Sequence, residues 1–174
     1  MKPAKTIVCV LFLAVFLASA HPAGAEGLPA EGGVLPELSP SFVLPKPRDG
    51  AVIIQIFSMY CPYCQRNAPT VNRLYEKILS DPRLRDKLRL VGIGVGNSPF
   101  EVDLFRNRYR VAFPLYPDGD YRVHKKLGEP RTPYFIVVKI NPDGTHRIVY
   151  SRLGEIGDPE AFLNEVLNLT GLKK

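Results

Sequence analysis

The sequence has no tryptophan, two methionines and three cysteines in 174 residues. So few cysteines exclude a small domain stapled by several disulfides. No stretch of lysine and arginine is dense enough for a nucleic-acid site, although the formal charge is +6. Internal repeats are absent, and the chain is 45% hydrophobic and 23% charged, which excludes collagen, coiled coil and wholesale disorder. What is abundant is proline: 17 residues, about twice the usual share. A single domain of this length can bury enough apolar surface to fold without cross-links.

The first 25 residues read as an export signal. Lys2 and Lys5 form a positive start, Thr6 to about Ala20 is apolar, and Ala23-Gly24-Ala25 fits the small-x-small cleavage rule, with Ala18-Ser19-Ala20 as a second possible cut. The apolar run is short for a bilayer span. Thr6-Ile7-Val8 makes a poor lipobox, so Cys9 is expected to leave with the signal. The mature chain then carries a charge of about +4 and is expected in the periplasm or another extracytoplasmic space. Residues 26–50 read as an extended Pro/Gly-rich leader, with Phe42 and Leu44 able to dock on the core. Residues 51–174 read as the folded domain.

Within that domain, Ala51–Phe57 is almost entirely apolar and β-branched, the pattern of a strand buried on both faces. Val71, Leu74, Tyr75, Ile78 and Leu79 form one helical stripe, which Asp81-Pro82 ends. Leu88–Val95 reads as a second strand. Ser98-Pro99-Phe100-Glu101 is a capping box opening a helix whose inner face is Val102, Phe105 and Tyr109. A short strand is expected near Ala112–Leu115, then a short helix from Tyr121 to Leu127, capped by Asp120 and stopped by Gly128. Tyr134–Ile140 is a third buried strand. Asn141-Pro142-Asp143-Gly144 turns it into an antiparallel partner from His146 to Ser151. Asp158-Pro159 opens a last helix that carries Phe162, Val166 and Leu169 inward and ends at Gly171. This order predicts an α/β sandwich around a central mixed sheet flanked by helices.

The two remaining cysteines stand in Cys61-Pro62-Tyr63-Cys64, where the first strand hands over to a helix. A disulfide across so short a loop would constrain the unfolded chain little, so a structural role explains it poorly. Pro62 suits a helix's first turn. Cys61 therefore falls at the N-cap, where unpaired N–H groups and the helix dipole favour thiolate. Cys64 lies one turn deeper on the same face. Cys61 is expected to attack a disulfide and Cys64 to resolve the mixed disulfide. A zinc site wants four ligands, and His124 and His146 lack ligand spacing. No cofactor or metal is expected.

With these motifs in place, the chain resembles the thioredoxin superfamily, and within it the exported thioredoxins related to cytochrome c maturation (TlpA- and ResA-like). The likeness rests on the strand running into Cys61-Pro62-Tyr63-Cys64, on Pro69 five residues beyond, on Thr132-Pro133 before a buried strand, and on the closing hairpin and helix. It covers roughly residues 42–170. It implies a thioredoxin-like three-layer sandwich and an exported thiol–disulfide oxidoreductase, reductase favoured over oxidase. It implies cysteine-containing exported proteins and a membrane thiol–disulfide electron donor or acceptor as partners, and a site of Pro62, Tyr63, Thr132 and Pro133 around the cysteines, with Pro133 in a cis-proline loop.

The chain also departs from that family. Gln55 stands where thioredoxin has a buried carboxylate, leaving Glu129 or water to move the Cys64 proton. Ser58-Met59-Tyr60 replaces a tryptophan-rich run, Tyr60 and Tyr63 read as an aromatic rim, and Arg66 and Arg131 are basic candidates near the sulfurs. Two other activities compete. A thiol peroxidase would need proline where Ile54 stands, although Ser58 is suitably placed. A copper metallochaperone would need a longer cysteine gap, with His124 as third ligand.

Overall fold

The computed structural model describes residues 27–38, 42–47 and 49–172. The expected export signal, with Cys9, lies outside the described residues. Five strands and four helices follow in the order β1 (Ala51–Phe57), α1 (Pro62–Ser80), β2 (Leu88–Val95), α2 (Pro99–Tyr109), β3 (Leu115–Asp118), α3 (Arg122–Lys126), β4 (Tyr134–Ile140), β5 (His146–Leu153) and α4 (Pro159–Thr170). The sheet order is β3-β2-β1-β4-β5. β1 is parallel to β2, as Gln55 opposite Gly92 shows, and antiparallel to β4, with Gln55 opposite Phe135.

β1 is central, and all seven of its residues are buried. Strand side chains alternate between faces. Ala51, Ile53 and Phe57 join one cluster with Val71, Leu74 and Ile78 of α1, Val102 and Phe105 of α2, and Phe162 and Val166 of α4. Val52, Ile54 and Ile56 join a second cluster on the other face, with Val123 and Leu127 around α3. That second face is also covered by the leader: Leu35, Leu38, Phe42 and Leu44 are buried in it. The leader runs along β5 as well, where Gly32 N–H donates to Ile148 O (2.8 Å) and Leu35 N–H to His146 O (2.8 Å). The edge of β5 is thereby covered, not left open to pair with another chain.

Local signals explain most boundaries. Both halves of the Ser98/Glu101 capping box form, Asp158 caps α4, and Gly171 ends it at φ 73°. Three expectations shift. The short strand begins at Leu115, not Ala112, and carries Pro117 on the sheet's outer edge, the place a sheet tolerates proline. Asp120 accepts the Arg122 N–H at 3.3 Å, but Asp118 joins it at the start of α3: its carboxylate accepts Val123 N–H at 3.0 Å and His124 N–H at 2.9 Å from a position only 3% exposed. Leu79 and Leu169, assigned inward faces, are 48% and 41% exposed. No helix among the described residues is long and apolar enough to cross a membrane.

Phe135 ties the sheet to α4, with its ring centroid 5.9 Å from that of Phe162 and the side chain fully buried. Phe135→Ala is expected to cost about 3–5 kcal/mol of stability. Guanidinium unfolding should show it as a lower midpoint at unchanged slope.

Candidate active site

Cys61 is the N-cap of α1, in extended backbone (φ −83°, ψ 112°), and its sulfur accepts the Cys64 N–H at 3.2 Å. The sequence produces this directly. Pro62 occupies the first helical position, where no N–H is missed, and the cap is left to the sulfur. Cys61 is partly exposed, Cys64 is fully buried, and both are free thiols. Cys61 Sγ–H also points to Thr132 O at 3.5 Å. The Thr132–Pro133 peptide is cis.

The two thiols are pushed apart. Burial raises Cys61, but hydrogen bonds from the Cys64 and Thr132 side chains and from the Cys64 and Tyr63 backbone outweigh it, so the thiol ends below its ordinary value. Cys64 is pushed up to about 12, by burial first and then by its hydrogen bond with Cys61. A backbone hydrogen bond from Ser58 opposes that rise without cancelling it. No carboxylate figures among the groups shifting either sulfur. Glu129, considered above as a proton carrier, is exposed on the loop after α3. Gln55 is 1% exposed on the Ile53–Phe57 side of β1, and its Nε2 has no hydrogen-bond partner among the described residues.

Tyr63, Thr132 and Pro133 line one groove of about 310 Å³ with Arg131, Leu153, Gly154 and Glu155. Arg66 is close enough to feel the Cys61 charge. Its guanidinium is nevertheless held by both Glu155 oxygens, at 2.6 and 3.2 Å, and lies over the Tyr63 ring at 4.7 Å. Of the two cations expected beside the sulfur, Arg66 is therefore compensated by Glu155, whereas Arg131 lines the groove without an ion pair among the described residues. His124 is not drawn to the cysteines. Its Nε2–H donates to Pro130 O at 3.0 Å. Among the described residues no three histidine, cysteine or acidic side chains gather to hold a metal.

Three side-chain amides support the site, two of them buried, and nothing local in the sequence marks them. Asn97, fully buried in the turn after β2, accepts the Met59 N–H at 2.8 Å. Gln65 Nε2 donates to Met59 O at 2.7 Å. Met59 is thus gripped at both ends, and the turn it belongs to closes with Cys61 N–H on Ser58 O at 3.1 Å. Asn67, one turn beyond Cys64, exchanges two hydrogen bonds with the Ile156 backbone (2.7 and 3.2 Å) and so fixes the loop carrying Gly154 and Glu155. Gly96, before Asn97, sits at φ +64°, and a Cβ there would strike the Tyr121 phenol.

No protein-family model matches the chain, and no curated protein matches it. Solved structures do. A putative thiol:disulfide interchange protein DsbE from Chlorobium tepidum is 16% identical, with 82% of this chain and 99% of that one covered at a TM-score of 0.63. A thioredoxin-family thiol:disulfide interchange protein from Chlorobium tepidum is 18% identical, with 71% and 82% covered and a TM-score of 0.56. A secreted Mycobacterium tuberculosis disulfide oxidoreductase homologous to E. coli DsbE is 17% identical, with 70% and 84% covered and a TM-score of 0.54. Together with the sheet order, these likenesses show a thioredoxin-like fold.

The unequal thiols predict unequal reactivity. At neutral pH iodoacetamide should modify Cys61 of the reduced protein and spare Cys64, whose thiolate forms only near pH 12. Because the Cys64 side chain is the first hydrogen bond holding Cys61 down, Cys64→Ala should move the midpoint of Cys61 alkylation to higher pH. Asn97→Ala should cost about 1–3 kcal/mol by stranding the Met59 N–H, and hydrogen exchange at Met59 should speed up.

Proposed function

We propose that this protein is an exported thiol–disulfide oxidoreductase that reduces disulfides of other proteins through Cys61 and Cys64. The observation that carries this reading is the difference between two sulfurs one turn apart: one accessible at a helix N-cap with a lowered pKa, the other fully buried with a raised one. A nucleophile needs the first property. A resolving thiol that waits for the mixed disulfide needs the second.

The exchange runs in two steps. The Cys61 thiolate attacks one sulfur of a partner disulfide. The partner's S–S bond breaks, a mixed disulfide forms, and the leaving sulfur takes up a proton. Cys64 then gives up its proton and attacks the Cys61 sulfur, forming the Cys61–Cys64 disulfide and freeing the second partner sulfur as a thiol. Two electrons pass from the pair to the partner. A dithiol donor at the membrane restores the pair by the same exchange in reverse. Tyr63, Thr132 and Pro133 form the wall against which the partner's chain lies, and Pro62 sets the helix start.

Electrostatics supports the reducing direction. Strong oxidants of this kind owe their potential to a highly stabilised thiolate. Here the Arg66 guanidinium, which feels the Cys61 charge, is already bound to Glu155, and Cys64 stays protonated at neutral pH. Export is supported by Lys2, Lys5, the apolar run and the small residues at 23–25, and by the secreted neighbour. The partners are then exported proteins with cysteine pairs, such as those of cytochrome c maturation.

Cys61→Ser should abolish reduction of insulin, and Cys64→Ser should accumulate a mixed disulfide visible on a non-reducing gel. Full activity in Cys61→Ser would refute the roles given. Equilibration with a dithiol couple should place the pair nearer about −270 mV than about −120 mV, and a value at the upper end would reverse the direction.

A further inference from the structure

α2 is apolar on two sides. Val102 and Phe105 are buried against the sheet, yet Phe100 is 75% exposed and Leu104 44%. Phe100, Leu104 and Arg108 are spaced by four and form one stripe on the helix's outer face. A surface helix ordinarily keeps that face polar. The stripe starts beside the reacting sulfur: the hydroxyl of Tyr60, the residue before Cys61, donates to Glu101. Tyr60, Leu104 and Arg108 share a hollow of about 180 Å³.

Charge adds a second constraint. Arg108 on this flank and Arg131 on the groove flank form no ion pair among the described residues. Of the neighbouring carboxylates, Glu155 is held by Arg66 and Glu101 by Tyr60 and the Ser98 cap, while Glu129, two residues before Arg131, is exposed. The α2 flank is thus apolar and ends on the unpaired positive charge of Arg108. Large exposed apolar side chains flanked by arginine are the composition of interface anchors.

Resting on the oxidoreductase reading, we infer that the partner is a protein whose reactive cysteine is displayed on an apolar segment with acidic residues beside it. The Phe100–Leu104–Arg108 stripe receives that segment on the side of Cys61 opposite the Tyr63 groove. The stripe selects the partner and takes no part in the bond exchange.

The test uses the reduced full chain and three disulfides. One is a synthetic peptide with a single internal disulfide flanked by leucine and glutamate, the second the same peptide flanked by serine and lysine, and the third hydroxyethyl disulfide. The wild type should reduce the first peptide faster than the second. Phe100→Ser combined with Leu104→Ser should lower kcat/KM for the first peptide about tenfold, the effect of losing an interface anchor, and leave hydroxyethyl disulfide unchanged. Arg108→Glu should narrow or invert the preference between the peptides. Equal wild-type rates on both peptides, or an unaffected double variant, would overturn the inference while leaving the oxidoreductase reading intact. A wild type that reduces none of the three would remove both.

Discussion

A helix begins with backbone N–H groups that no carbonyl within it can reach. Here a sulfur takes one of them, with Cys61 Sγ accepting the Cys64 N–H at 3.2 Å. After the hydrogen bonds with the Cys64 and Thr132 side chains, that contact helps make the residue at the helix end an acid stronger than an ordinary thiol. The same turn carries Cys64 inward, among the apolar side chains of the sheet face, where a thiolate is costly. Two identical side chains three residues apart become chemically different because the helix end lies at the surface and its first turn does not.

Holding that turn in place is the work of side-chain amides. Asn97, Gln65 and Asn67 all bind backbone groups: Asn67 through both polar atoms to Ile156, and Asn97 and Gln65 from either side to Met59. An amide can donate and accept without carrying charge. It can therefore brace the strand-to-helix loop and the 154–157 loop without adding a field at the sulfurs. A carboxylate in the same positions would press Cys61 toward the thiol form.

Much of this was legible in the sequence, for reasons that can be named. β-Branched runs such as Ala51–Phe57 and Tyr134–Ile140 can hardly be anything but buried strands, and the Ser98/Glu101 box and the Asp158-Pro159 start are local hydrogen-bond patterns that need no tertiary help. The two cysteines and Thr132–Pro133 were likewise marked by their setting, a strand before a helix and a proline before a strand. What stayed hidden depends on distant partners. Asn97 meets Met59 across 38 residues and Asn67 meets Ile156 across 89. Asp118 joins Asp120 in capping α3 because the end of β3 brings its carboxylate to that helix, a matter of sheet geometry. Arg66 looked like a bare cation because Glu155 is equally remote in sequence.

That last pairing bears on how the site holds its redox balance. Exposed charges act on a thiol through water and lose most of their effect beyond a Debye length of about 8 Å at physiological salt. Hydrogen bonds and burial do not. With Arg66 tied to Glu155 and no carboxylate among the groups shifting Cys61 or Cys64, the difference between the sulfurs rests on the burial of Cys64, on the hydrogen bond between the two side chains and on contacts from Thr132 and Tyr63 to Cys61. Gln55 fits the same logic. An amide under the sheet face adds polarity without charge, and no carboxylate figures among the groups that shift Cys64. The accessible sulfur and the buried one therefore differ through local contacts and packing, with solvent reaching only the Cys61 side.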